Sequence, residues 1–456
     1  MTLSKYVLSF VLALLATPAL AQTPSADLAR LFEDERAFVW REDPLAATSD
    51  GVRDYDDRLP SVTPEAYARR LAADQGFMDR LRGIERGALT AQEQVSYDLF
   101  AFMVGQRVRF ARYNEWRLPF NSDSGFYSEI LLLYDTHDPR TVRDYETYIA
   151  RLNDVPRYFD EQIANIRRGM ADGFTLPAEI VGGVARVVEG LHYERAEDTT
   201  LWAPFANYPA TVPEAERARL TAAGRAAITR AVIPAFDTFR TFFVNEYVPR
   251  ARRSIAATSL PNGRAYYADL VRYYTTLPEA TPQQVHRAGL AEVRRIRAEM
   301  EAIVREVGFE GTFAEFLTFL RTDPQFYPTS AEDLLRRAAW ITREIDGELP
   351  NYFGRLPRTP YTVAPVPEAL APNYTGGRYN PGPMGAAGTY WVNTYALDTR
   401  SLYNLPALTA HEAAPGHHLQ GALARELTDL PRFRLNFYPH AFGEGWGLYS
   451  ERLAGE

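Results

Sequence analysis

The chain has 456 residues, 46% of them hydrophobic and 13% aromatic, a composition that buries a large core and fits neither a disordered nor a fibrous protein. Its net charge of −8, with no basic stripe interleaved with aromatics, argues against nucleic acid as a partner. It has no cysteine, so disulfides contribute nothing, and Lys5 is its one lysine, which removes Schiff-base and phosphate-loop chemistry once the leader is gone.

MTLSKYVLSFVLALLATPALA opens the chain with a cation at Lys5, an apolar run from Val7 to Ala16, and Ala19-Leu20-Ala21 as a small-x-small cleavage site. That is the pattern of a secretory signal over residues 1–21, leaving Gln22 first. A membrane anchor needs roughly twenty apolar residues, more than this run supplies. No cysteine follows the cleavage site, so a lipid-anchored amino terminus is excluded. The expected location is periplasmic or secreted, with no membrane attachment after the signal is removed.

Residues 22–348 read as a helical scaffold lobe. Apolar residues recur at three and four over Pro64 to Arg82, Thr141 to Arg168 and Pro213 to Tyr247. The clearest helix follows Thr281, with Thr281 as N-cap, Pro282 at the first helical position and Gly308 beyond the end. Ser330 opens another at SAEDLLRRAAWITREID. No linker, repeat or low-complexity run divides the chain, so one large unit of two lobes is expected.

Residues 349–456 form the second part. Between Leu349 and Ala387 closely spaced prolines, with Gly376 and Gly377, forbid long helices and predict ordered loop and short strand. GTYWVNTYAL, from Gly388, is the best strand candidate; its free edge is expected beside the chemistry, open to an extended peptide. In the loop before it, Arg378 is a candidate grip for a substrate carboxylate. Helical character resumes at Leu408 and runs into SERLAGE without a C-cap, which predicts that the chain is a fragment truncated at its C-terminus.

Four of the seven histidines, His411, His417, His418 and His440, fall in one thirty-residue window. The others, His137, His192 and His286, read as satisfied polar core residues. HEAAPGHHLQ, from His411, resembles a zinc-protease helix with two residues too many. On an unbroken helix His417 would point about 240° away from His411, and His418 would lie about 10 Å along the axis, so neither could share an ion with it. Pro415 cannot donate to the carbonyl of His411 and Gly416 permits unusual dihedrals, so the helix is expected to bulge or break. A bulge would bring His417 to the ordinary place of the second ligand; a full break could present His417 or His418. Glu412 is the candidate general base, activating water that a metal has acidified. The third ligand comes from AFGEGWGLYSERL, where Glu444 and Glu451 lie two turns apart on one helical face; Glu444 is the first choice, and Glu451 could instead orient a ligand histidine.

HEAAPGHHLQ followed by FGEGWGLYSERL resembles the signature of the bacterial domain-of-unknown-function family 885, and SGFYSE at Ser124 and GTYWVNTY at Gly388 extend the similarity. The resemblance implies a mainly α, zincin-like metallopeptidase fold with a short β-sheet near the site, and a Zn2+-dependent hydrolase of the type with two histidines and a downstream glutamate. On that pattern His411, His417 and Glu444 match the ligands and Glu412 the base. Family members continue well past the Glu-Gly-Trp motif, so His440 and Tyr449 serve only as local stand-ins for an oxyanion-stabilising group.

The expectation is an exported zinc-dependent peptidase acting on a peptide or small amide, with no other cofactor. Two alternatives remain open: a metal-dependent hydrolase of esters or non-peptide amides, and a helical periplasmic binding protein whose metal is structural or cargo.

Overall fold

Helix starts are set by hydroxyl caps. Thr63, Thr90, Thr141, Thr281 and Ser330 each accept the backbone N–H of the third residue on, satisfying a donor that the first helical turn leaves unpaired. In the computed structural model, which describes residues 23–122, 124–368, 370–382 and 385–456, these caps open most of the long helices. The signal sequence expected at 1–21 lies outside the described residues.

The described chain begins with α1 (Pro24–Glu42), α2 (Pro64–Arg82) and α3 (Ala91–Ala111), which pack around Leu28, Leu31, Phe77, Phe100 and Val104. α4 (Val142–Asp172) is 31 residues long, and Gly173 ends it at φ 75°, a left-handed turn that favours glycine. Around α4 lie α5 (Ala178–Glu189), α6 (Glu214–Ala227) and α7 (Ile233–Phe242), whose inner faces build the largest core from Tyr148, Phe159, Ile166, Val184, Phe236 and Phe239. The segment from Pro213 to Tyr247 is not one regular helix. Wide π turns at Ile228–Val232 and Phe243–Tyr247 flank α7, and Pro234, in the first turn of α7, has no N–H to continue the ordinary ladder.

α8 (Gly263–Thr275) leads to α9 (Pro282–Glu306) and α10 (Phe313–Thr322). The apolar stripe of α9 stays open to solvent, with Val293 65% and Ile303 51% exposed. α11 (Ala331–Tyr352) crosses the sequence boundary at 348 and carries Leu334, Ala338 and Leu349 inward.

Three short strands follow: β1 (Tyr361–Pro365), β2 (Gly377–Asn380) and β3 (Gly388–Val392). Their order is β1-β3-β2, with β1 parallel and β2 antiparallel to β3; Tyr361 pairs with Gly388 and Tyr379 with Tyr390. This corrects the expectation of a free edge on β3. Its neighbours occupy both edges, and its alternating buried residues Gly388, Tyr390 and Val392 make it the central strand. The open edges belong to β1 and β2.

α12 (Leu405–Glu412), α13 (His417–Arg425), α14 (Arg432–Asn436) and α15 (His440–Gly455) complete the fold. α12 sits between α11, β2 and α15. Phe433 of α14 places its ring 4.8 Å from Phe32 and 5.4 Å from Phe100, tying this end of the chain to α1 and α3. The fold is mainly α with one small sheet. Among the described residues no helix is long and apolar enough to cross a membrane.

Candidate metal centre

α12 does not bulge and continue; it ends. Glu412 is its last residue, Ala413 leaves helical geometry at ψ −130°, and α13 starts afresh at His417. Pro415 follows a cis peptide bond, and Gly416 packs its backbone onto the turn it has just left. A Cβ on Gly416 would stand 1.8 Å from the carbonyl oxygen of His411, so the reversal requires glycine. The His418 N–H then closes the connection onto the carbonyl of Ala413 at 3.0 Å. Across the gap the indole of Trp446 in α15 donates to the Pro415 carbonyl at 2.7 Å.

The break brings the rings of His411 and His417 to 4.6 Å between centroids, nearly perpendicular. Nε2 of His411 lies 3.4 Å and Nε2 of His417 lies 3.8 Å from Oε2 of Glu444. One donor atom from each of these residues falls within 4.8 Å of the others, the one such group of three found among the described residues. Two imidazoles and a carboxylate are a familiar donor set for zinc, and their spacing fits one small ion among them.

α15 makes this possible through the residues Glu444, Gly447 and Glu451, three and four apart on one face. Gly447 lies against the His411 ring, where a Cβ would come 2.4 Å from Cε1. With that ring in place, Glu444 reaches Nε2 and Glu451 accepts from Nδ1 at 2.7 Å. The second carboxylate fixes the tautomer that leaves Nε2 free to bind an ion.

Glu412 is buried beside the cluster, and Oε2 accepts the backbone N–H of Tyr379 at 2.8 Å. Burial pushes its carboxyl above the usual range, and the charge of Glu444 adds to this; the Tyr379 N–H, His411 and Arg378 oppose it. Burial lowers His417, and the neighbouring His411 lowers it further, so the neutral imidazole that a metal needs is favoured. Glu412, His417 and Glu444 line one cavity of about 620 Å³ with Arg378, Tyr379 and Tyr438.

His418 points elsewhere. It is 3% exposed, lies under Tyr361 at 4.3 Å between ring centroids, and sets Nδ1 3.1 Å from the Tyr379 hydroxyl; burial pushes it down to about 4. Adjacent residues on a helix diverge by about 100°, so one break presents only one of the two histidines. His440 packs among Tyr273, Tyr274 and Tyr438 and joins no donor group, and Tyr449 is exposed against Trp446. Arg378 lines the cavity with its guanidinium 5.1 Å over Tyr374. Of the remaining histidines only His137 is a core residue. His192 is exposed beside Asp237, and His286 is exposed on α9.

Tyr438 is the residue that sequence reasoning missed. Its hydroxyl donates to Oε1 of Glu444 at 3.0 Å and lies 3.5 Å from Nδ1 of His417, so one phenol orients two members of the cluster. Gly443 makes room for it, since a Cβ there would stand 1.9 Å from the phenol Cζ. The only hint in the sequence was a tyrosine two residues before His440.

The fold has close counterparts among solved structures. It resembles the putative lipoprotein from Colwellia psychrerythraea with a TM-score of 0.83 at 23% identity, covering 95% of this chain and 78% of that one. It also resembles a putative lipoprotein of unknown function from Shewanella oneidensis, with a TM-score of 0.63 at 18% identity, covering 95% and 77%. A search among curated proteins finds no match. A sequence profile matches residues 44–456, nearly the whole described chain, and by that match the protein belongs to the family described as bacterial protein of unknown function, DUF885.

Proposed function

We propose that the protein is an exported zinc-dependent hydrolase, most consistent with a peptidase of the two-histidine, one-glutamate type. The observation that carries this is the meeting of His411, His417 and Glu444 at one point with the Glu412 carboxylate beside them in an open cavity. His411, His417 and Glu444 would hold the ion, which when bound polarises a carbonyl and acidifies water. Glu412 takes the proton of the attacking water. As the C–N bond breaks, it returns that proton to the leaving amine, so no covalent bond to the protein forms. Its raised affinity for a proton, a consequence of burial, suits both halves of that transfer. Glu451 holds the His411 ring, and Tyr438 holds Glu444.

The outer edge of β2 favours a peptide over other amides. The Tyr379 N–H faces Glu412 rather than β3, so the side of β2 away from the sheet borders the cavity. An extended backbone could pair there. Export rests on the signal pattern of residues 1–21 and on the description of both solved neighbours as lipoproteins; this chain has no cysteine to carry a lipid.

The decisive experiment measures bound metal and peptide cleavage in the same preparations of wild type and Glu412→Gln. One zinc per chain in both, with cleavage lower by about 10²- to 10⁴-fold in the variant, is expected. Absence of stoichiometric metal, or undiminished cleavage by Glu412→Gln, overturns the proposal. Retained metal with no turnover by wild type on a peptide library favours the binding-protein alternative.

A further inference from the structure

A second cavity, of about 700 Å³, opens between α1, α2 and α4, and its lining shares no residue with the cavity at His417 and Glu444. Phe38, Tyr67 and Tyr158 wall it, and Glu129, from the SGFYSE stretch, is exposed to its interior. The charges around that carboxylate are already committed. Arg107 spans Asp74 and Glu35, Arg70 bonds the carbonyls of Glu42 and Ser61, and Arg69 holds the Glu42 carboxylate. Asp43 caps the following turn by accepting the N–H groups of Leu45 and Ala46. Among the described residues no cation or donor bonds to Glu129. Gln162, on the same wall and 3% exposed, leaves Oε1 without a hydrogen-bond partner.

A solvent-accessible carboxylate without a counter-ion, in an aromatic-walled pocket whose arginines are engaged, is a receptor lacking its positive charge. We infer that this cavity binds an organic cation, a protonated amine on an apolar body, with Glu129 as its counter-ion and Phe38, Tyr67 and Tyr158 around the body. A divalent metal fits less well, because only one free carboxylate reaches the space. An anion would meet the uncompensated Glu129 carboxylate, while Arg70 and Arg107 on the same wall are engaged with other acceptors.

Although the Glu129 side chain is open to the cavity, the surrounding walls hold back bulk water and, with the Asp43 charge behind it, push its carboxyl up to about 7. The other ionisable groups facing the cavity are Asp43, Glu42, Asp74, Arg70, Arg107, Tyr67 and Tyr158. A ligand that needs the anion therefore binds more tightly at pH 8 than at pH 6, by up to about tenfold.

The test is calorimetric titration of the full chain with benzylammonium at pH 8 and pH 6, with benzyl alcohol as the uncharged counterpart. Binding of the ammonium about tenfold tighter at pH 8, with at least tenfold weaker binding of the alcohol, supports the inference. Loss of ammonium binding in Glu129→Gln, which keeps the shape of the side chain, supports it further. Equal binding of ammonium and alcohol, pH-independent affinity, or displacement of the ammonium by magnesium each overturns it. The wild-type comparisons need no variant, so a misfolded substitution cannot hide the answer.

Discussion

At the scale of single residues, the cluster of His411, His417 and Glu444 is held by contacts to its other atoms. Glu451 accepts from Nδ1 of His411, and such partners commonly contribute 10- to 100-fold in metal affinity. Glu451→Gln is expected to weaken zinc binding by about that factor in competition with a chromophoric chelator, while the far-ultraviolet circular dichroism stays unchanged. Gly447 is a more severe case. An alanine there brings a methyl group to 2.4 Å from the His411 ring, which must swing away from both Glu444 and Glu451. Gly447→Ala is therefore expected to lose stoichiometric zinc altogether. Zinc binding equal to wild type would mean that the His411 ring does not lie against Gly447.

At the scale of elements, the decisive feature is the interruption between α12 and α13. Trp446 clamps it through the Pro415 carbonyl, and Gly416 permits it. Gly416→Ala forces a Cβ into the His411 carbonyl, so either the turn opens or the variant is destabilised by about 1–3 kcal/mol, with metal lost in both cases. Urea unfolding and metal analysis of the same preparation check this. Much of the arrangement was legible beforehand. The Pro-Gly pair announced a distortion, and the spacing of Glu444 and Glu451 announced one helical face. What the sequence could not reveal is which neighbour a break presents, because His417 and His418 differ only by a rotation that tertiary packing decides. The sheet order was hidden for a related reason: the pattern that marks β3 as a strand is the same for an edge and a centre, and only the prolines around β1 and β2 hinted at their return. Helix limits were readable where a hydroxyl cap started them, as at Thr63 and Thr281. They were less so at Ile228 and Phe243, where π turns leave the apolar spacing almost unchanged.

At the scale of the whole molecule, the N-terminal helices stand apart from the cavity at the candidate site, and their stability is expected to depend on pH through His137. Arg151, fully buried, donates to Nδ1 of His137 at 3.2 Å and to the carbonyls of Arg58 and Tyr55, fastening the segment before α2 onto α4. Nε2–H of the same ring lies 3.1 Å from the carbonyl of Asp144, so the neutral tautomer satisfies both partners. Burial, with the charge of Arg151 added, pushes His137 down to about 4 from 6.5. The folded value lies below the unfolded one, so between them the unfolded chain binds the extra proton. The stabilisation is full above pH 6.5, declines as pH falls, and is lost by about pH 4. A shift of that size corresponds to about 3 kcal/mol, a large share of the stability of an ordinary domain. Urea unfolding at pH 7 and pH 4.5 is expected to show wild type losing more stability than His137→Gln by roughly 2–3 kcal/mol. The variant itself is weaker at pH 7 for want of the acceptor that Arg151 uses. An equal acid loss in both proteins would mean that carboxylates elsewhere govern the response, and that His137 does not stay neutral in the fold.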